Sequence, residues 1–200
     1  MNAPAVINVP ANCGMIEHAI RKRSPHVTHN SGEVEWYTPP DIIERARGAM
    51  GAIDCDPASN AFANKNVKAD TFYTVEDNGL EKKWHGRVWM NPPYARGICA
   101  QFCDAVVRKF EDKEIEQACV LVNNATDTKW FQRLAKASTA VCILRGRVKF
   151  LDRNGRRGHP LQGQWVLYFG PSSVAFAEAF SGAGAIRQHI IKNLFHRVPA

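Results

Sequence analysis

The run Val88-Trp89-Met90, closed by Asn91-Pro92-Pro93-Tyr94, constrains the fold more than any other stretch of this chain. Three apolar residues in succession predict a buried strand. The two prolines after it remove consecutive backbone donors, so neither a ladder nor a helix continues through them. The chain must turn at a strand's carboxyl end, presenting an amide, a proline-held carbonyl and an aromatic ring. In open α/β sheets that edge is where ligands bind. The Asn91 side-chain oxygen and the Pro92 carbonyl can accept both hydrogens of an exocyclic NH2, and Tyr94 can stack on the ring that carries it. The same residues also serve as plain loop punctuation. The helical spacing of Ile98, Phe102, Ala105, Val106 and Phe110 directly after the turn favours the functional reading.

The rest of the chain alternates between strand and helix patterns. Pro39 and Pro40, followed by Asp41, Ile42, Ile43 and Ala46, predict a helix ending at Gly48 or Gly51. Residues 52–56 read as a short strand stopped by Pro57, and Asn60 as a cap for a short helix. Thr71 to Thr74 read as a strand or extended loop, and Asp77-Asn78-Gly79 as turn chemistry. The continuous apolar run 118–122 predicts a strand buried on both faces, followed by a helix over 128–137 and a strand over 140–144. Residues 147–151 and 164–169 read as late strands around a Gly/Arg-rich loop, and 173–195 as a helical tail. Such alternation predicts an α/β fold with a mainly parallel sheet and antiparallel C-terminal strands. The expected organisation is a poorly ordered leader over 1–32, one domain over 33–172, and a C-terminal helical tail over 173–200.

At 45% apolar and 22% charged residues the composition is that of a soluble globular protein. No apolar stretch approaches the roughly 20 residues of a membrane span, and residues 1–10 lack a secretory pattern, so a cytoplasmic protein is expected. Six cysteines include no Cys-x-x-Cys pair. Cys99 and Cys103 are one helical turn apart, but no second pair with zinc-like spacing accompanies them, so no metal is expected. The net charge of +7 is less informative than its distribution. From 145 to 159 six basic residues, among them Arg147, Lys149, Arg153, Arg156 and Arg157, face the single acid Asp152. This predicts a track for phosphates, with Arg147 and Lys149 on one face of a strand. The leader's Arg21-Lys22-Arg23, and Lys129 and Arg133 on the later helix, are weaker candidates of the same kind.

The segments Glu35-Trp36-Tyr37-Thr38-Pro39, Ile53-Asp54-Cys55-Asp56-Pro57-Ala58-Ser59, Gly86-Arg87-Val88-Trp89-Met90-Asn91-Pro92-Pro93-Tyr94 and Gly146-Arg147-Val148-Lys149-Phe150 occur in that order. Together the chain resembles the phage-type DNA N6-adenine methyltransferase (Dam) family. The resemblance implies a Rossmann-like fold, S-adenosylmethionine as cofactor, double-stranded DNA as partner, and a phage or prophage gene acting in a bacterial cytoplasm, with restriction-modification as one setting. It implies that Asn91, Pro92, Pro93 and Tyr94 form the catalytic turn. Trp36, Thr38 and Pro39 match the segment lying against the cofactor. Asp54, Asp56 and Pro57, at a strand end, and Asp77 are further cofactor candidates, pairing with its ammonium, ribose or adenine amine. One departure stands out: Asp-Cys-Asp-Pro-Ala-Ser replaces the glycine-rich turn that the wider methyltransferase class carries after its first strand.

Two other readings use the same residues. An amino-methyltransferase for a protein glutamine or an RNA base needs the same turn, because both acceptors carry NH2 on an sp2 carbon. A non-catalytic DNA-binding relic would keep the basic segment and lose cofactor binding. A nucleotide-dependent oxidoreductase is disfavoured by the absence of Gly-x-Gly-x-x-Gly.

Overall fold

A computed structural model describes residues 36–95, 97–158 and 162–188. The expected leader, its basic triplet, and residues 189–200 lie outside the described residues. The elements run α1 (Pro40–Met50), β1 (Cys55–Asp56), α2 (Asn64–Val67), β2 (Thr71–Phe72), a 3-10 turn (Gly79–Glu81), β3 (Arg87–Met90), α3 (Ile98–Glu111), β4 (Gln117–Asn123), α4 (Lys129–Ala137), β5 (Ala140–Leu144), β6 (Gln164–Phe169), α5 (Ser173–Ala179) and β7 (Gly184–Gln188).

Local chemistry accounts for most boundaries. Pro40 opens α1 without sacrificing a helical hydrogen bond, and Gly51, at φ 89°, closes it. The Asn60 carboxamide accepts from the amides of Phe62 and Ala63 on the approach to α2. Thr128 accepts from the Phe131 amide and caps α4.

The described strands form one sheet in the order β2-β1-β3-β4-β6-β5-β7. β2, β1, β3 and β4 are parallel; β6 runs antiparallel to both β4 and β5, and β7 antiparallel to β5. The mixed α/β class and its antiparallel C-terminal strands match the expectation. Apolar layers cover both faces. One gathers Trp84, Phe102, Val106, Val120, Phe131 and Phe169 under α3 and α4. The other gathers Ile43, Ile53, Trp89, Leu121, Tyr168 and Phe176 under α1 and α5. Burial on both faces explains why the central strands read as unbroken apolar runs.

Two expectations need correction. The tail is not helical throughout: α5 ends at Ala179 and the chain returns as the strand β7. Gly182, at φ 76°, makes that turn, and Gly184 lies so close to the Ile143 carbonyl that a Cβ would overlap it. Residues 147–151 are extended, with buried Val148 between exposed Arg147 and Lys149, but they are not a ladder strand. The Val148 amide is taken by the Gln164 side-chain oxygen at 2.8 Å, and only Leu151 forms bridges, to Tyr37 and Arg157.

The topology fixes where a site can lie. From β1 the chain goes to β2 on one side and returns to β3 on the other, so a crevice opens outside the carboxyl ends of β1 and β3. β4 and β5 end at the same edge, and β6 begins there. The basic excursion between β5 and β6 therefore leaves the edge that also carries Asn91.

Candidate active site

Pro92 and Pro93 end β3 after Met90, whose last partner on β4 is Val120. One residue further along β4, the Leu121 carbonyl receives the Tyr94 hydroxyl at 3.3 Å, where the ladder has stopped. That hydroxyl also lies 3.1 Å from Asn91 Oδ1, while Asn91 Nδ2 donates to Thr38 Oγ1 at 3.3 Å. Burial of the hydroxyl raises the Tyr94 pKa well above an ordinary phenol, yet the residue as a whole remains 42% exposed. The buried end and the open ring belong to one side chain: the hydroxyl is anchored at the sheet and the ring surface faces outward. No described donor reaches the Pro92 carbonyl. The turn thus carries two acceptors, the Asn91 Oδ1 engaged by the Tyr94 hydroxyl and the carbonyl of buried Pro92.

At the neighbouring strand end, Cys55 stands opposite Val88. Asp56 is accordingly level with Trp89, two residues short of Asn91. Burial raises the Asp56 carboxyl to about 7, against the opposing pull of the Ala58 amide and the adjacent Ser59 hydroxyl. The Ser59 hydroxyl is itself buried and finds no partner in hydrogen-bond geometry. A buried carboxyl and an unsatisfied hydroxyl at one strand end suit a polar, cationic ligand.

Asp54 is different. Its carboxylate takes the Arg87 guanidinium through two bonds, at 2.7 and 2.8 Å, and the Arg87 amide at 2.7 Å. Arg87 opens β3, so Asp54 sits at the opposite edge of the sheet from Asn91, with its carboxylate engaged by Arg87. The Arg87 bonds hold its pKa below the usual carboxylate value. Asp54 therefore stabilises the fold above the unfolded carboxylate's pKa of about 3.9, and that contribution is lost as pH falls through the folded value. Asp54→Asn is expected to cost about 2 kcal/mol at pH 7. In urea titrations the gap from wild type should narrow as the pH is lowered below 4, and S-adenosylmethionine affinity should be unchanged. Weakened cofactor binding without a stability loss would instead give Asp54 the cofactor role expected from the sequence.

Asp77 accepts from the Thr74 amide and hydroxyl, both at 2.9 Å, which closes the turn over 74–77 and lowers its pKa. Trp36 is 43% exposed and is not core. Its ring lies against Gly158, where an added Cβ would come within 2.5–3.0 Å of it. The Trp36 segment therefore clasps the basic excursion, through this contact and the paired backbones of Tyr37 and Leu151.

The excursion is a hairpin closed by the Asp152 amide donating to the Arg156 carbonyl at 2.9 Å, turning at Gly155 with φ 76°. Asp152 Oδ1 accepts from the amides of Asn154 and Arg156, so the segment's one acid folds the hairpin. Arg147, Lys149, Arg153, Arg156 and Arg157 lie along it and are all exposed; Arg157 also bridges to Leu151. Arg133, by contrast, pairs with Asp104 at 3.0 Å. Cys99 and Cys103 are buried and hydrogen-bonded to each other, which raises the pKa of Cys103. Among the described residues no group of metal-ligating side chains assembles.

Sequence reasoning overlooked Asn123 and Gln164. Gln164 is buried and spans from the Val148 amide to Asn123 Oδ1, at 3.1 Å, tying the basic excursion to the end of β4. Nothing short-range marks this tie, because the two contacts that make it reach 16 and 41 residues away.

A sheet with a parallel centre and antiparallel late strands, bearing the Asn-Pro-Pro-Tyr turn at its carboxyl edge, is consistent with a methyltransferase-like α/β fold. The family model described as DNA N-6-adenine-methyltransferase (Dam) matches residues 26–168. The chain belongs to that family. No curated protein matches it significantly.

Proposed function

We propose that the protein transfers a methyl group from S-adenosylmethionine to the exocyclic N6 amine of an adenine flipped out of double-stranded DNA, on a Rossmann-like scaffold in a bacterial cytoplasm. The observation that carries this reading is the pair of acceptors at one strand end, Asn91 Oδ1 and the Pro92 carbonyl. The amine's lone pair is delocalised into the ring, so it is a poor nucleophile. Two acceptors on its hydrogens favour a pyramidal nitrogen and stabilise the positive charge that grows there, as preorganised dipoles do. The Tyr94 ring supplies the stacking surface for the extruded base, and Pro93 holds the turn's backbone.

The cofactor supplies a methyl already activated by its sulfonium. Its charged ammonium suits Asp56 and Ser59, and Trp36, Thr38, Pro39, Pro57 and Asp77 complete the proposed cofactor-facing set. Positioning the two reactants in line accounts for much of the remaining acceleration.

Arg147, Lys149, Arg153, Arg156 and Arg157 are the proposed phosphate contacts. Replacing Arg153, Arg156 and Arg157 with alanine is expected to weaken DNA binding at low salt. The slope of log K against log salt should fall by up to about 0.9 for each phosphate no longer neutralised. Fluorescence anisotropy across a salt series reads this, and an unchanged slope would place the DNA elsewhere.

The direct test incubates the protein with methyl-labelled S-adenosylmethionine and unmethylated bacterial DNA. Label in N6-methyladenine supports the reading. Label in protein or RNA alone would move the acceptor class, and an absence of cofactor binding would leave a DNA-binding relic.

A further inference from the structure

We infer that Thr38 is a positioning residue for the Asn91 amide, with the Tyr94 hydroxyl as its exchangeable counterpart. For its kinetic consequence this rests on the methyl-transfer reading above. The Asn91 carboxamide is held at both ends, by Thr38 Oγ1 at Nδ2 and by the Tyr94 hydroxyl at Oδ1. The two contacts differ in kind.

Thr38 is only 6% exposed. On one side Tyr37 and Leu151 exchange backbone hydrogen bonds of 2.8 and 2.9 Å; on the other the Pro39 carbonyl accepts from the Ile42 amide at the start of α1. Thr38 is therefore set by backbone contacts in both directions and has little freedom to follow a moving amide.

Tyr94 has one hydroxyl proton and two acceptors in reach, Asn91 Oδ1 and the Leu121 carbonyl. When a substrate N–H arrives at Asn91 Oδ1, the Tyr94 proton can turn wholly to Leu121 and keep a hydrogen bond. The hydroxyl thus fills the amine's place before substrate binds and yields it at low cost. Thr38 does not yield, because an amide that swung with the substrate would offer no preorganised dipole. The carboxamide plane must stay fixed while its Oδ1 partner changes.

The test uses the full chain and two near-isosteric variants. Thr38→Val keeps the shape and removes the oxygen; Thr38→Ser keeps the oxygen. With bacterial DNA as acceptor and saturating S-adenosylmethionine, Thr38→Val is expected to lower kcat on the order of 10- to 100-fold, as misplacement of a reacting group does. Thr38→Ser should recover most of the lost kcat. Because Thr38 also belongs to the proposed cofactor-facing set, kcat is read at saturating cofactor and the cofactor Kd is measured alongside, which separates the two roles. Nitrogen-labelled asparagine spectra give a second readout that needs no substrate. The Asn91 side-chain NH2, assigned by its loss in Asn91→Asp, should exchange with water faster in Thr38→Val and at the wild-type rate in Thr38→Ser.

Unchanged exchange in Thr38→Val, a kcat loss that Ser fails to rescue, or a loss traced entirely to cofactor affinity would each overturn the assignment. If the wild-type protein methylates no DNA, the spectra alone decide. Faster exchange in the valine variant then sustains the positioning role while the DNA reading falls, and unchanged exchange removes both.

Discussion

Asn91→Ala is expected to lower single-turnover methyl transfer about 10²- to 10³-fold, the usual effect of removing one charge-stabilising group. Cofactor affinity should stay near wild type, because Asp56 and Ser59 stand at the end of a different strand, β1. The Pro92 carbonyl is a backbone group and survives the substitution, so one of the two acceptors remains. A residual rate is therefore expected. Rapid-quench measurement with labelled S-adenosylmethionine separates the chemical step from product release. An Asn91→Ala protein that transfers at the wild-type rate would remove the turn from the chemistry altogether.

Gly79→Ala is expected to be strongly destabilising, costing about 3 kcal/mol through overpacking. Gly79 is buried, and a Cβ there would overlap the Pro57 carbonyl and stand 3.3 Å from Tyr73 Cβ. The glycine cannot retreat, because its own carbonyl accepts from the indole of fully buried Trp84 at 2.7 Å. Pro57 follows Asp56 directly, so the displacement falls on the strand end proposed to hold the cofactor. Loss of S-adenosylmethionine binding by calorimetry should accompany the drop in melting temperature. Gly182→Ala is the control. Its φ of 76° strains an alanine, but a Cβ would meet nothing within 4 Å. It should cost only about 1 kcal/mol and leave the cofactor alone. Equal losses in both variants would show that backbone strain, rather than the Pro57 contact, governs position 79.

Elements whose cause is local were legible in the sequence. Pro92 and Pro93 end β3 because neither has an amide to donate, whatever the surroundings. Pro40 and Gly51 bound α1, and Thr128 caps α4, by interactions within a few residues. The clustering of positive charge over 145–159 is likewise a property of consecutive residues. β7 escaped because an exposed edge strand carries little alternation, and only its pairing with β5 makes it a strand.

The site was half legible on the same grounds. The turn and its acceptors follow from four adjacent residues, but their state depends on partners distant in the chain. Thr38 reaches Asn91 across 53 residues, and Arg87 claims Asp54 across 33. Asp54 and Asp56 look equivalent in sequence. The strand direction separates them, sending one to a guanidinium at the amino edge and the other to a buried place at the carboxyl edge. Gly79 reads as a turn residue beside Asn78, which itself takes the left-handed conformation at φ 53°. Its requirement for glycine comes instead from the Pro57 carbonyl, far earlier in the chain. The order of residues alone specifies which groups the protein can offer, because backbone chemistry and charge act over a few positions. Which of those groups face the crevice, and which are used up in holding the sheet together, follows from the assembled fold, because that depends on which strands lie side by side and in which direction they run.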